Sequence, residues 1–127
     1  MTTFSIQVAE ATLRMRKLFP ATPLQRNDYL SIAYEADIWL KREDLSPVRS
    51  YKLRGAYNAM GKQLDKQVFV CASAGNHAQG VAFVCKHMCK NGVIFMPVTT
   101  PQQKINKTKL FGGEWVEVRL VGDYFDE

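Results

Sequence analysis

A chain of 127 residues can enclose one hydrophobic core and is too short for several. Its 46% hydrophobic and 23% charged residues suit a soluble globular protein. No apolar run approaches the ~20 residues that span a bilayer, and the opening residues lack the apolar block of a secretory signal, so no membrane is expected and the cytoplasm is the default compartment. The net charge of +5 raises nucleic-acid binding, but the basic residues are dispersed and no nucleic-acid motif is present.

Ser5 can cap a first helix that runs to about Phe19, with Ile6, Ala9 and Leu13 in an imperfect apolar stripe. Pro20 ends it, and Pro23 forces an extended start for the next segment. Asp28 can cap a short helix over 29–35. Residues 37–42 then read as a strand and 43–49 as a loop held by Pro47.

From Ser50, Leu53, Ala56, Tyr57, Met60 and Leu64 recur at helical spacing and form a core face. Gly61 interrupts this helical pattern before Leu64. Residues 68–71 read as a short buried strand. A helix over 75–89 follows, with Ala78, Val81, Ala82, Cys85, Met88 and Cys89 on one face and Asn91-Gly92 as its stop. Residues 93–96 are a continuous apolar run, as in a strand covered on both faces.

Thr100-Pro101-Gln102-Gln103 combines a cap, Pro at the first helical position and Gln three residues after the cap. That helix ends at Gly112-Gly113, and 115–120 form the next strand. Asp123, with Asp126 and Glu127 one turn on, resembles the start of another helix, so the chain is expected to be an N-terminal piece of a longer protein. The alternation of strands and helices implies an α/β fold with a parallel sheet and right-handed crossovers.

Cys71, Cys85 and Cys89 make an odd count without an export signal, which favours free thiols. Cys85, His87 and Cys89 could suggest a metal site. On a helix the i+2 residue points away from the face shared by i and i+4, and two thiols make a poor zinc site. Core cysteines and a surface histidine are the better expectation, and no metal is expected.

Two segments carry chemistry. Ser50-Tyr51-Lys52-Leu53-Arg54-Gly55-Ala56 places Lys52 at the second position of a helix, after a Ser cap. The positive end of a helix dipole disfavours an ammonium there. The neutral amine is the form that attacks carbonyls and makes Schiff bases. Taken alone, Lys52 is as easily an ordinary surface lysine. Ser73-Ala74-Gly75-Asn76-His77-Ala78-Gln79-Gly80 has the small residues of an anion loop opening a helix. A plain strand-to-helix connection would use the same residues.

Together the two segments resemble the fold-type II pyridoxal-phosphate enzymes, the tryptophan synthase β-like family, and within it the threonine dehydratases. Leu40-Lys41-Arg42-Glu43-Asp44-Leu45, Phe95-Met96-Pro97-Val98-Thr99-Thr100-Pro101 with Lys104, and Val121-Gly122-Asp123 with Phe125-Asp126 extend the resemblance along nearly the whole chain. Cysteine synthases share the scheme but usually carry a Thr-Ser-Gly-Asn-Thr-like loop. The Ser-Ala-Gly-Asn-His-Ala form is similar to a dehydratase.

The resemblance implies a three-layer αβα domain with a parallel sheet over 51–127, and an incomplete part of a larger cofactor domain over 1–50. It implies that Lys52 holds pyridoxal 5'-phosphate as a Schiff base and removes the substrate's α-proton. Asn76 would hydrogen-bond the cofactor's ring hydroxyl. Ser73, Ala74, Gly75, Asn76 and His77 would grip the substrate carboxylate, with His77 no base. The implied reaction is dehydration and deamination of L-threonine to 2-oxobutanoate and ammonia, with L-serine as another substrate, in a homo-oligomeric parent enzyme of isoleucine biosynthesis. The family's glycine-rich phosphate loop and the group facing the ring nitrogen lie downstream of the region matched, so the chain alone is expected to be inactive. Gly112-Gly113 is a helix stop and not that loop. Arg54 and Arg42-Glu43-Asp44 read as structural ion pairs, Asp44 as a less favoured partner for Lys52, and Gly55 as a site of close helix packing. The alternatives are a non-catalytic remnant, a related serine dehydratase or racemase, and, more distantly, a basic binding module.

Overall fold

The computed structural model describes residues 2–124. The acidic turn expected at Asp126 and Glu127 lies outside them. Helix α1 (Thr3–Leu18) is capped by Thr2, whose side chain accepts from the Ser5 amide at 3.2 Å. The cap therefore lies three residues before Ser5, which fills the third helical position instead. Ile6 and Leu13 are exposed and only Met15 is buried, so the stripe in α1 is as imperfect in space as in sequence.

Strands β1 (Leu24–Arg26) and β2 (Trp39–Lys41) form an antiparallel pair around the short helix α2 (Asp28–Ala33). Asn27, not Asp28, caps α2 through its side-chain oxygen on the Leu30 amide. Both caps satisfy amides that a helix cannot pair internally. The expected loop at 43–49 contains a 3-10 turn at Glu43–Leu45.

The main sheet is parallel, in the order β3 (Val68–Ala72), β4 (Asn91–Met96), β5 (Val116–Leu120). Helices α4 (Asn76–Met88) and α5 (Gln102–Gly112) make the crossovers. Ala78 and Ala82 of α4 and Ile105 of α5 pack on Ile94 and Met96, so both helices cover one face. A second cluster joins α3 (Lys52–Met60) to α4 through Leu53, Ala56, Met60, Val81 and Val84, with Met15 and Phe19 from the N-terminal region.

Several local expectations are corrected. Helix α3 ends at Met60, with Gly61 at its cap, so Leu64 falls in a turn and is exposed. Strand β3 is an edge strand, and its outer face leaves Val68 and Val70 52% and 65% exposed. Among the described residues nothing covers that side. Helix α4 stops at Cys89 in the left-handed region (φ 53°), and Asn91-Gly92 already belong to β4. Cys89 is exposed rather than part of the core, Cys85 is buried and Cys71 half-buried. Gly113 adopts φ 57° and ends α5 as the glycine pair implied. Among the described residues no His, Cys, Asp or Glu group could hold a metal, and no helix is long and apolar enough to cross a membrane.

Candidate active site

The chain approaches Lys52 through a locked turn. The Ser46 hydroxyl donates to the Ser50 carbonyl and accepts from the Ser50 amide, both at 3.0 Å. Between them Arg49 takes the left-handed conformation (φ 61°), a strained choice for a non-glycine residue. The buried Val48 anchors the turn from below. Helix α3 begins at Lys52 itself, with Tyr51 as cap residue and no side-chain cap bond. Ser50 is therefore not the cap, because Ser46 has taken up its backbone. Its own hydroxyl is buried without a partner. The Lys52 side chain is exposed, its nitrogen 5.3 Å from the centroid of the Tyr51 ring.

The small-residue loop leaves the end of β3. The Ser73 amide donates to the Phe95 carbonyl at 3.0 Å, which ties the loop to the end of β4. The Gly75 amide donates to the Ser73 hydroxyl at 3.3 Å. Ala72, Ser73, Ala74, Gly75 and Lys104 line an open cleft of about 290 Å³. Asn76 and His77 are the first two residues of α4 and are exposed.

Lys52 and this loop share one end of the domain because Gly80, one turn into α4, lies against the start of α3. A Cβ at Gly80 would sit 3.3 Å from the Leu53 nitrogen and 3.4 Å from the Lys52 carbonyl carbon. The close-packing glycine is thus Gly80 and not Gly55, which has open space around it. The structure brings the two helix starts together. It makes no hydrogen bond between Lys52 and Asn76 among the described residues.

One contrast marks this end of the molecule. Helices α1 and α2 are capped by side chains, whereas α3, α4 and α5 start with none. Thr100, expected to cap α5, instead leaves its hydroxyl buried and unpartnered. Gln79, in the first turn of α4, has a buried side-chain oxygen in the same state. Uncapped helix starts offer amides and positive potential to an anion, and buried polar atoms without partners carry a desolvation cost that a ligand relieves. An amine, a primary amide and free helix-start amides are a donor set that fits a group bearing a carbonyl, a phenolic oxygen and carboxylate.

Apart from Lys52 and Lys104, the charged neighbours support the site rather than line it. The Arg54 guanidinium donates to both Glu43 carboxylate oxygens at 2.9 and 2.7 Å, and to the Thr22 hydroxyl at 3.1 Å. This arginine holds the Glu43 carboxyl below its ordinary value, against the opposing cost of burial and with help from the Thr22 hydroxyl. Asp44 accepts two bonds from Arg42, at 2.9 and 2.7 Å, and forms no ion pair with Lys52. Burial pushes the Cys71 and Cys85 thiols up to about 11, so neither is a nucleophile at neutral pH. Lys104 and Gly80 were not singled out as site residues from sequence. A lysine in the first turn of a helix and a glycine at a helix interior position are common, and only the crossover geometry gives them a place here.

The fold that brings Lys52 and the small-residue loop to one end of the parallel sheet is shared with known proteins. The model of the family described as "Pyridoxal-phosphate dependent enzyme" matches residues 16–127. The L-threonine dehydratase biosynthetic IlvA of Bacillus subtilis is 59% identical over 84% of this chain and 26% of its own length. The protein of the same name from Staphylococcus saprophyticus is 54% identical over 99% of this chain and 31% of its own. The processed form of threonine deaminase isoform 2 from Solanum lycopersicum superposes with a TM-score of 0.83 at 34% identity, covering 100% of this chain and 36% of that one. The chain belongs to the pyridoxal-phosphate dependent enzyme family. It spans about a quarter to a third of the length of the curated relatives it matches.

Proposed function

We propose that the protein carrying this chain is a pyridoxal-phosphate-dependent lyase that converts L-threonine to 2-oxobutanoate and ammonia, losing water from the β-carbon and taking one up again as the nitrogen leaves, with L-serine as a second substrate. The observation that carries this reading is the meeting of two uncapped helix starts, one beginning at Lys52 and the other following Ser73-Ala74-Gly75, locked together at Gly80. The high identity to threonine dehydratases over most of the chain supports it and favours the biosynthetic form that leads to isoleucine.

When bound, the cofactor supplies an electron sink for the substrate's α-carbon. Lys52 anchors the cofactor through its amine, and that amine, once released, takes the α-proton. The Asn76 amide donates to the ring hydroxyl. The loop of Ser73, Ala74, Gly75, Asn76 and His77 would hold the substrate carboxylate through the Ser73 hydroxyl and the amides not already bonded to Phe95 and Ser73, with the positive end of α4 behind them. Lys104 at the cleft adds a cation that draws the carboxylate in.

In this reading residues 1–50 form part of a larger cofactor domain and 51–127 most of the smaller one. The working enzyme is a cytoplasmic homo-oligomer that requires neither a membrane nor nucleic acid. The test is to assay 2-oxobutanoate from threonine with the protein as its gene encodes it, supplied with pyridoxal phosphate, beside Lys52→Ala. Turnover that Lys52→Ala abolishes supports the reading, and equal turnover in both removes Lys52 from the reaction.

A further inference from the structure

We propose that Glu43 and Arg54 act as positioning residues for Lys52, an inference that rests on the Schiff-base role proposed above. Arg54 lies two residues after Lys52, in the first turn of a helix that has no side-chain cap. That turn therefore lacks the usual local restraint at the point where the reactive lysine sits. Arg54 replaces it with a tertiary one. Its guanidinium meets both oxygens of Glu43 in a fork and reaches the Thr22 hydroxyl, while Thr22 also donates to Glu43 at 2.5 Å. The guanidinium carbon stands over the buried Phe19 ring, 5.0 Å from its centroid, which adds a further contact to the fork.

The anchor points are well fixed. Glu43 opens the 3-10 turn that follows β2, and the Lys41 ammonium bonds the Thr22 carbonyl behind it. The pair is partly buried, with side chains 31% and 18% exposed, which places it above an ordinary surface ion pair in strength. In the same first turn Gly80 of α4 packs against the backbone of Lys52 and Leu53. The start of α3 is thus gripped between α4 and the N-terminal hairpin. Sub-ångström placement of a reacting amine matters because productive geometry is narrow. A lysine ammonium in place of Arg54 keeps the charge and loses the two-point fork.

The experiment compares Glu43→Gln, Arg54→Lys and, as control, Glu117→Gln, which breaks the exposed fork to Arg119 on β5, in the apoprotein encoded by the gene. Hydrogen exchange of the peptide around residues 51–55 reads the clamp without cofactor. The rate at which added pyridoxal phosphate develops imine absorbance reads the placement of Lys52. We expect Glu43→Gln and Arg54→Lys each to speed exchange in that peptide and to slow imine formation about tenfold, with β4 peptides unchanged and Glu117→Gln near normal in both readouts. In the loaded enzyme kcat should fall while KM for threonine holds. Faster exchange with an unaltered imine rate would make the clamp merely structural and overturn the proposal, as would unaltered exchange. No imine on Lys52 in the unsubstituted protein would overturn the lyase reading itself, and the clamp's role with it.

Discussion

Gly80 touches the backbone of Leu53 so closely that any Cβ there would have to push α3 and α4 apart by a few tenths of an ångström. A Cβ there would lie 3.3 Å from the Leu53 nitrogen and 3.4 Å from its Cα, both rigid backbone atoms. Gly80→Ala should cost about 1–3 kcal/mol in urea unfolding, as overpacking of a close contact does. It should also part the starts of α3 and α4 and weaken imine formation. Unfolding and absorbance titration with pyridoxal phosphate, run together, check both effects.

Asn76 stands at the first position of α4 with an exposed side chain and no capping duty. Asn76→Ala should therefore leave stability within about 0.5 kcal/mol. It should loosen the cofactor and shift the absorbance of its imine, since the amide no longer meets the ring hydroxyl. A loss of stability with an unchanged spectrum would return Asn76 to a turn-forming role.

The three thiols differ in reach. Cys85 is buried, Cys71 half-buried, and both are pushed up to about 11 by burial, while Cys89 is exposed at the end of α4. Iodoacetamide at neutral pH should label Cys89 first and reach the other two only on unfolding. Peptide mass mapping after timed labelling checks the order.

Glu43 has a pH consequence. Arg54 lowers its folded value, so the unfolded chain binds the proton more readily. Its contribution to stability is fully present above the ordinary glutamate range and is lost as pH falls through the lowered folded value. Glu43→Gln should remove that contribution at neutral pH and flatten the acid limb. Unfolding midpoints measured from neutral to acid pH in both proteins show whether the two curves converge at low pH.

Much of this was readable from the sequence because periodicity and turn residues act locally. The parallel order of β3, β4 and β5 and the stop at Gly113 followed from spacing, whereas the lysine and loop motifs stood out through the family resemblance. The misplacements have different causes. Ser50 looks like a cap, but α3 starts at Lys52, and Ser46, four residues earlier, bonds the Ser50 amide and carbonyl. Asp28 yields the cap to its neighbour Asn27, and α5 starts with no side-chain cap although Thr100 is at hand. Val68 and Val70 look buried because an apolar run does not reveal whether its strand lies at an edge. Gly55 and Gly80 are alike in sequence, and only the α3–α4 crossing shows which one is squeezed.

The central claim is that Lys52, among the 17 lysines and arginines of the chain, is the residue that takes the cofactor. The direct measurement is borohydride reduction of the protein mixed with stoichiometric pyridoxal phosphate, followed by peptide mass mapping. The account predicts one dominant phosphopyridoxyl adduct, on Lys52, that disappears in Lys52→Ala. Adduct spread over several exposed lysines, or concentrated on another one with Lys52 free, would contradict it.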